Sequence, residues 1–225
     1  MSPVLSAPPR PPRAARTNGH VPPPRRPTGG GDGPDREPGP GGPLLDNAVL
    51  ATIFVIGGEV MLFAGLVFSL LIIRVAAPVW PPPLEPRLPI AVTAVNTGVL
   101  LASSVALAAA LGARRRNERR RFVSGLGLTA GLGGLFLAVQ GYEWFRLVGF
   151  GLTVGSGIYG GSFYTIIGAH AVHVVAALAW LGVTLVLAAR GRFGDLRAGA
   201  VTACAMYWHF VVALWPILYV AVYLL

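Results

Sequence analysis

The chain contains no lysine, a single cysteine and few charges of either sign. Only 12% of its 225 residues are charged, while 54% are hydrophobic. That balance excludes an ordinary soluble domain and fits a polytopic membrane protein. Cys204 stands alone, which excludes an intrachain disulfide, a Cys-x-x-Cys-His haem attachment and a two-cysteine copper site. Acidic side chains number nine against 18 basic ones, all arginine, for a net charge of +9. Nucleic acid is excluded as a partner, because these arginines fall in a terminal tail and in short loops between apolar runs. Charge so placed orients a chain against a membrane.

What is abundant is apolar sequence in long runs, preceded by a very different segment. Residues 1–43 hold 13 of the 20 prolines, eight glycines and six arginines. Such a composition cannot bury enough apolar surface to offset its ordering entropy, so a disordered cytoplasmic tail is expected. A cleaved signal peptide is not expected, because no apolar core of suitable length precedes Val49. Residues 44–225 form the membrane domain. A crossing takes roughly 20 apolar residues, and five spans are legible, at about 49–73, 89–111, 122–147, 162–189 and 199–225. The fold class is therefore all-α, a bundle of five transmembrane helices. The Pro78-Val-Trp-Pro-Pro-Pro83 loop cannot continue a helix and carries a Trp suited to the membrane interface. In span three, Gly127 and Gly131 form a small-xxx-small pair expected to permit close helix approach. No internal repeat is visible, which argues against an inverted-repeat carrier.

Arginine placement predicts orientation. The loop between spans two and three carries six arginines, and the loop between spans four and five carries Arg190, Arg192 and Arg197. The alternate loops carry Arg87 and little else, so the N-terminus is predicted in the cytoplasm and the C-terminus outside.

A small polar set is embedded in these spans: Glu59, Gln140, Glu143, His170, His173 and His209. Ionisable groups at such depth are costly and point into protein or a cavity. His170 and His173 are three residues apart and share a helix face. Their sharp reading is metal or haem ligation, and their plain reading is hydrogen bonding between helices. Two histidines with scattered carboxylates make a poor metal signature. The two Glu-x-x-His motifs of a di-iron bundle are lacking, so the expectation is no metal and no catalytic residue. At about 1.5 Å per residue, Glu59 and His173 reach similar depth, which makes a pairing possible directly or through water. Glu59 is then either a proton carrier or a protonated carboxyl satisfied by a neighbour. Tyr142, Trp144, Tyr207, Trp208 and Trp215 read as packing and interface anchors.

The same residues carry a family resemblance. Glu59-Val-Met-Leu-Phe-Ala-Gly65 resembles the Ser-Glu-Val-Met-Phe-Phe-Ala-Gly signature of subunit III of haem–copper respiratory oxidases. Trp80-Pro-Pro resembles that family's loop, and Asn96-Thr-Gly-Val-Leu-Leu-Ala-Ser-Ser104 its next helix. Gly133-Gly-Leu-Phe-Leu-Ala-Val-Gln-Gly-Tyr-Glu-Trp144 is similar to its Gly-x-x-Phe-x-x-x-Gln-x-x-Glu-Tyr/Trp element. Gly168-Ala-His-Ala-Val-His-Val174 and Tyr207-Trp-His-Phe-Val211 match two further elements. Six elements in order cover about residues 47–225. Two departures stand out: Gly58 where the family has Ser, and Val212 where it has Asp, which removes a carboxylate able to pair with His209. The layout resembles short bacterial members that lack two N-terminal helices.

The resemblance implies a component of a cytochrome c or quinol oxidase complex that holds no redox centre of its own. Haem and copper would lie in partner subunits, with catalytic subunit I as the main partner, stabilised by this chain, and phospholipid as a bound ligand. It also implies residence in a bacterial plasma membrane, aerobic electron transport, oxygen reduction and proton translocation. Two other readings are an accessory subunit of a nitric oxide reductase system and an independent small channel or carrier.

Overall fold

The computed structural model describes residues 46–80, 82, 88–191 and 198–225. The expected tail, residues 1–43, lies outside the described residues, as do Arg87, Arg192 and Arg197. Every described element is helical: α1 (Asn47–Ala76), α2 (Ile90–Arg115), α3 (Arg119–Gly149), α4 (Ile158–Ala189) and α5 (Ala198–Tyr219), the last continued by a π-helical turn, Val220–Leu224. All five are long and apolar enough to cross a membrane. Counting α5 together with its π turn as one span of 27 residues, the shortest span is α2 with 26 residues, about 39 Å long at about 1.5 Å per residue, against a hydrocarbon core of about 30 Å.

Local chemistry sets the ends. Asp46 caps α1, its carboxylate accepting the Ala48 N–H at 2.8 Å, and Pro78 follows just past its C-terminus. Apolarity placed the end of span two near Leu111, yet α2 runs on through Arg115. Arginine is a good helix former, and its charge suits the negative end of the helix. The chain then reverses through Asn117, which takes the left-handed conformation at φ 60° that Asn tolerates better than most residues. Opposite, Arg119 reaches across from α3 and donates to the carbonyls of Ala188 (3.3 Å) and Ala189 (3.0 Å), satisfying the C-terminus of α4. Helix α4 starts at Ile158, earlier than the apolar run suggests, because Gly157 at φ 107° supplies the sharp entry. Pro216 sits inside α5, where its missing N–H breaks the regular ladder, and a π turn follows.

Helix α5 is the hub. It packs against α1, α2 and α4, and α3 lies between α2 and α4. Half of the α5 span is buried, against 11% of the α1 span. Two tryptophans seven residues apart on α5 fasten it to α2. Trp208 Nε1 donates to Ser103 Oγ at 3.2 Å, and Trp215 Nε1 to Thr97 Oγ1 at 2.8 Å. Each hydroxyl passes its own proton back to an α2 carbonyl, Leu100 or Thr93, so no donor in either pair goes unused in an environment without water. Asn96 adds a tie from α2 to α3, donating to the Phe136 carbonyl at 3.0 Å.

The glycine contacts correct the sequence reading. Gly127 and Gly131 have nothing near the place a Cβ would occupy. The close-packing positions are Gly125, whose added Cβ would lie 2.6 Å from Ala110 Cβ, and Gly133, whose Cβ would run into the Trp208 ring. The four-residue spacing is right, but the stripe is Gly125, Thr129 and Gly133, turned to another side of α3.

Candidate functional site

Helix α1 presents one narrow face to the protein: its buried residues are Thr52, Phe63 and Leu70. Glu59 falls on that face, seven residues after Thr52 and four before Phe63. Its carboxylate meets two helices. Tyr207 of α5 donates its hydroxyl to Glu59 Oε1 at 3.0 Å. His173 Nε2 of α4 lies 3.7 Å from the same oxygen, beyond hydrogen-bond reach but close enough for a charge interaction. His173 Nδ1 is 2.6 Å from the Ala169 carbonyl. A carbonyl only accepts, so in the neutral ring the proton sits on Nδ1 and Nε2 turns a lone pair toward Glu59. Glu59 Oε2 is buried without a hydrogen-bond partner among the described residues.

His170 is separate from this group. It is 1% exposed, stacks against Trp215 with ring centroids 5.0 Å apart, and meets the edge of Phe63 at 6.4 Å. Phe63 also meets His173 at 5.2 Å. One α1 ring is thus in contact with both imidazoles, and the two histidines that share a helix face have different surroundings.

The remaining members form three more pairs. Gln140 donates to Tyr223 Oη at 3.0 Å. Glu143 is 5% exposed and pairs with Arg146 at 3.4 Å, the arginine reaching outward with its side chain 47% exposed. His209 Nδ1 lies 2.5 Å from Ser104 Oγ. Val212 stands where the family pattern has Asp, and the polar partner that His209 meets is the Ser104 hydroxyl on α2. Tyr207, Ser104 and Tyr223 were not singled out as polar partners from the sequence. Tyr207 was visible as part of an aromatic cluster, but only the fold shows that its hydroxyl faces α1.

Beside Glu59, α1 and α5 enclose an apolar groove of about 450 Å³, lined by Val60, Phe63, Val67, Phe210, Leu214 and Ile217 among others. Among the described residues, no three His, Cys, Asp or Glu side chains gather in a way that holds a metal ion.

Fold and site together define a multi-pass membrane protein in which a carboxylate, a phenol and an imidazole join three helices beside an apolar groove. The family model for cytochrome c oxidase subunit III matches residues 47–225. A cytochrome c oxidase subunit 3 from Synechocystis sp. is 33% identical over 186 residues, covering 80% of this chain and 76% of that protein. Proteins of the same name from Sus scrofa and Carassius auratus are 32% and 35% identical over 145 residues, covering 64% of this chain. The chain spans about half the length, 54%, of these two vertebrate relatives. This chain belongs to the cytochrome c oxidase subunit III family, within the haem–copper oxidases.

Proposed function

We propose that the protein is a non-redox accessory subunit of a haem–copper terminal oxidase, bound to catalytic subunit I in a bacterial plasma membrane. Its N-terminus is cytoplasmic and its C-terminus external. The complex it serves passes electrons from cytochrome c or a quinol to oxygen, and haem and copper reside in the partner subunits. The observation that carries this reading is the family match over the whole membrane domain, 47–225. These matches favour neither a nitric oxide reductase accessory subunit nor an independent channel.

Within that role, Glu59 is a latch for α1. With three buried residues along 30, α1 is the helix least held by packing. The hydrogen bond from Tyr207 of α5 to Glu59 and the approach of Glu59 to α4 act where apolar contact is scarce. The adjoining groove takes the acyl chains of a phospholipid, whose apolar surface matches its lining. Removing this chain from the oxidase tests the role. Initial oxygen consumption persists and then decays faster over successive turnovers. A complex that keeps both its initial rate and its working life without this chain contradicts the proposal.

A further inference from the structure

We propose that the groove between α2 and α3, at the arginine-rich end of the bundle, binds an anionic phospholipid, with its phosphate on Arg116 and Arg121 and an acyl chain laid between the two helices. The groove has a volume of about 520 Å³. Its walls are small or apolar: Ala106, Ala109 and Gly112 from α2 and Leu128 from α3. Arg116, Glu118 and Arg121 line its helix-terminal end. The shape follows from the packing. Ala110 and Gly125 also line it, and there the helices come so close that a Cβ on Gly125 would lie 2.6 Å from Ala110 Cβ. Small side chains beside that contact leave a trough where larger ones would interdigitate. At Gly112 the place of a Cβ is open space.

Charge selects the headgroup. Residues 114–121 hold six arginines and one acid, Glu118. Orientation in the membrane accounts for their number, but not for two of them at the end of an apolar trough. Arg114 lies over the Phe122 ring, and Arg119 donates to the α4 carbonyls. Arg121 pairs with Glu118 through Nη1 at 2.8 Å. Arg116 is exposed, and its side chain has no hydrogen bond or ion pair among the described residues. The first turn of α3 holds Arg119, Arg120 and Arg121 without an acidic residue, although the positive end of a helix dipole disfavours cations. A phosphate offsets this excess, and guanidinium groups match its oxygens in two-pronged hydrogen bonds. Basic pockets between membrane helices take anionic headgroups for this reason. A choline lipid cancels its own phosphate charge, and a free phosphate leaves the trough unfilled. The site lies on α2 and α3, apart from the α1–α5 groove beside Glu59. It rests on the membrane spans and holds whichever complex the chain joins.

The test uses the chain purified with the subunits that accompany it and reconstituted in phosphatidylcholine nanodiscs. Spin-labelled phosphatidylglycerol is titrated in, and its motionally restricted fraction is measured. The fraction that the native protein holds and Gly112→Leu lacks reports this site, because the added side chain enters the open space of the trough. Arg116→Gln is expected to weaken that component about fivefold, the effect of one cation close to an anionic headgroup. Arg115→Gln, an equal change of charge outside the lining, should weaken it less. Spin-labelled phosphatidylcholine should show no such component. Equal binding of the two lipids, no loss in Gly112→Leu, or equal weakening by Arg115→Gln overturns the proposal. Displacement of the lipid by inorganic phosphate at constant ionic strength, or a map with a partner's helix seated in the trough, overturns it as well. Should Gly112→Leu not assemble, the comparison of Arg116→Gln with Arg115→Gln decides.

Discussion

Replacing Glu59 separates a latch from a proton relay. In Glu59→Ala the Tyr207 hydroxyl, buried and 3.0 Å from Glu59 Oε1, loses its acceptor. Leaving a buried group unsatisfied costs about 1–3 kcal/mol, or roughly 5- to 150-fold in an equilibrium. Little else offsets the loss, because α1 buries only Thr52, Phe63 and Leu70. The docked state of α1 therefore weakens by that factor. Glu59→Gln retains a side-chain oxygen for Tyr207 and retains the shape, so α1 stays docked. The assay has two readouts on the purified complex: the amount of this chain retained per haem, and oxygen consumption followed over many turnovers. The latch predicts that the Ala variant loses chain and working life while the Gln variant resembles the native enzyme. Tyr207→Phe removes the other half of the bond and should match Ala, with the double variant no worse than either single one. An amide cannot cycle a proton. Equal, early loss of rate in Gln and Ala with retention unchanged refutes the latch and establishes a relay.

Two further outcomes follow from the packing and the charge pattern. Gly133→Leu drives a side chain into the Trp208 ring and should destabilise the bundle by at least the roughly 1–3 kcal/mol typical of overpacking, whereas Gly131→Leu should leave detergent-solubilised thermal stability unchanged. Reporter fusions should place the N-terminus in the cytoplasm and the C-terminus outside, from the arginines between spans two and three and between spans four and five; both ends on one side contradicts a five-span path.

Five spans were legible because long apolar runs with arginine-rich breaks leave few alternatives. Rotation about each helix axis was less legible. The glycine spacing in α3 announced a close-packing face, but Gly127 and Gly131 fit the same period as Gly125 and Gly133. Only the Trp208 ring of a helix some 70 residues further on shows which face is used. The same limit governs the polar set. The spacing of His170 and His173 places both rings on one side of α4, and nothing local to α4 reveals that Phe63 of α1 contacts both of them. The similar depth of Glu59 and His173 was legible, since rise per residue is a one-dimensional quantity, and the two side chains lie 3.7 Å apart. Tyr207 was missed as the third member because a tyrosine among Trp208, His209 and Phe210 reads equally well as packing. Asp46 and Gly157, which set where α1 and α4 begin, act through single caps that an apolarity profile does not register.

The central claim, that this chain is an accessory subunit of an oxygen-reducing haem–copper oxidase, is tested most directly by affinity purification of the tagged chain from its native membrane. The account predicts that it brings down, in fixed stoichiometry, haem- and copper-containing subunits that consume oxygen, with the haem absent from this chain once it is separated. Recovery with a nitric oxide-reducing complex instead, or alone and competent for transport in vesicles, contradicts it.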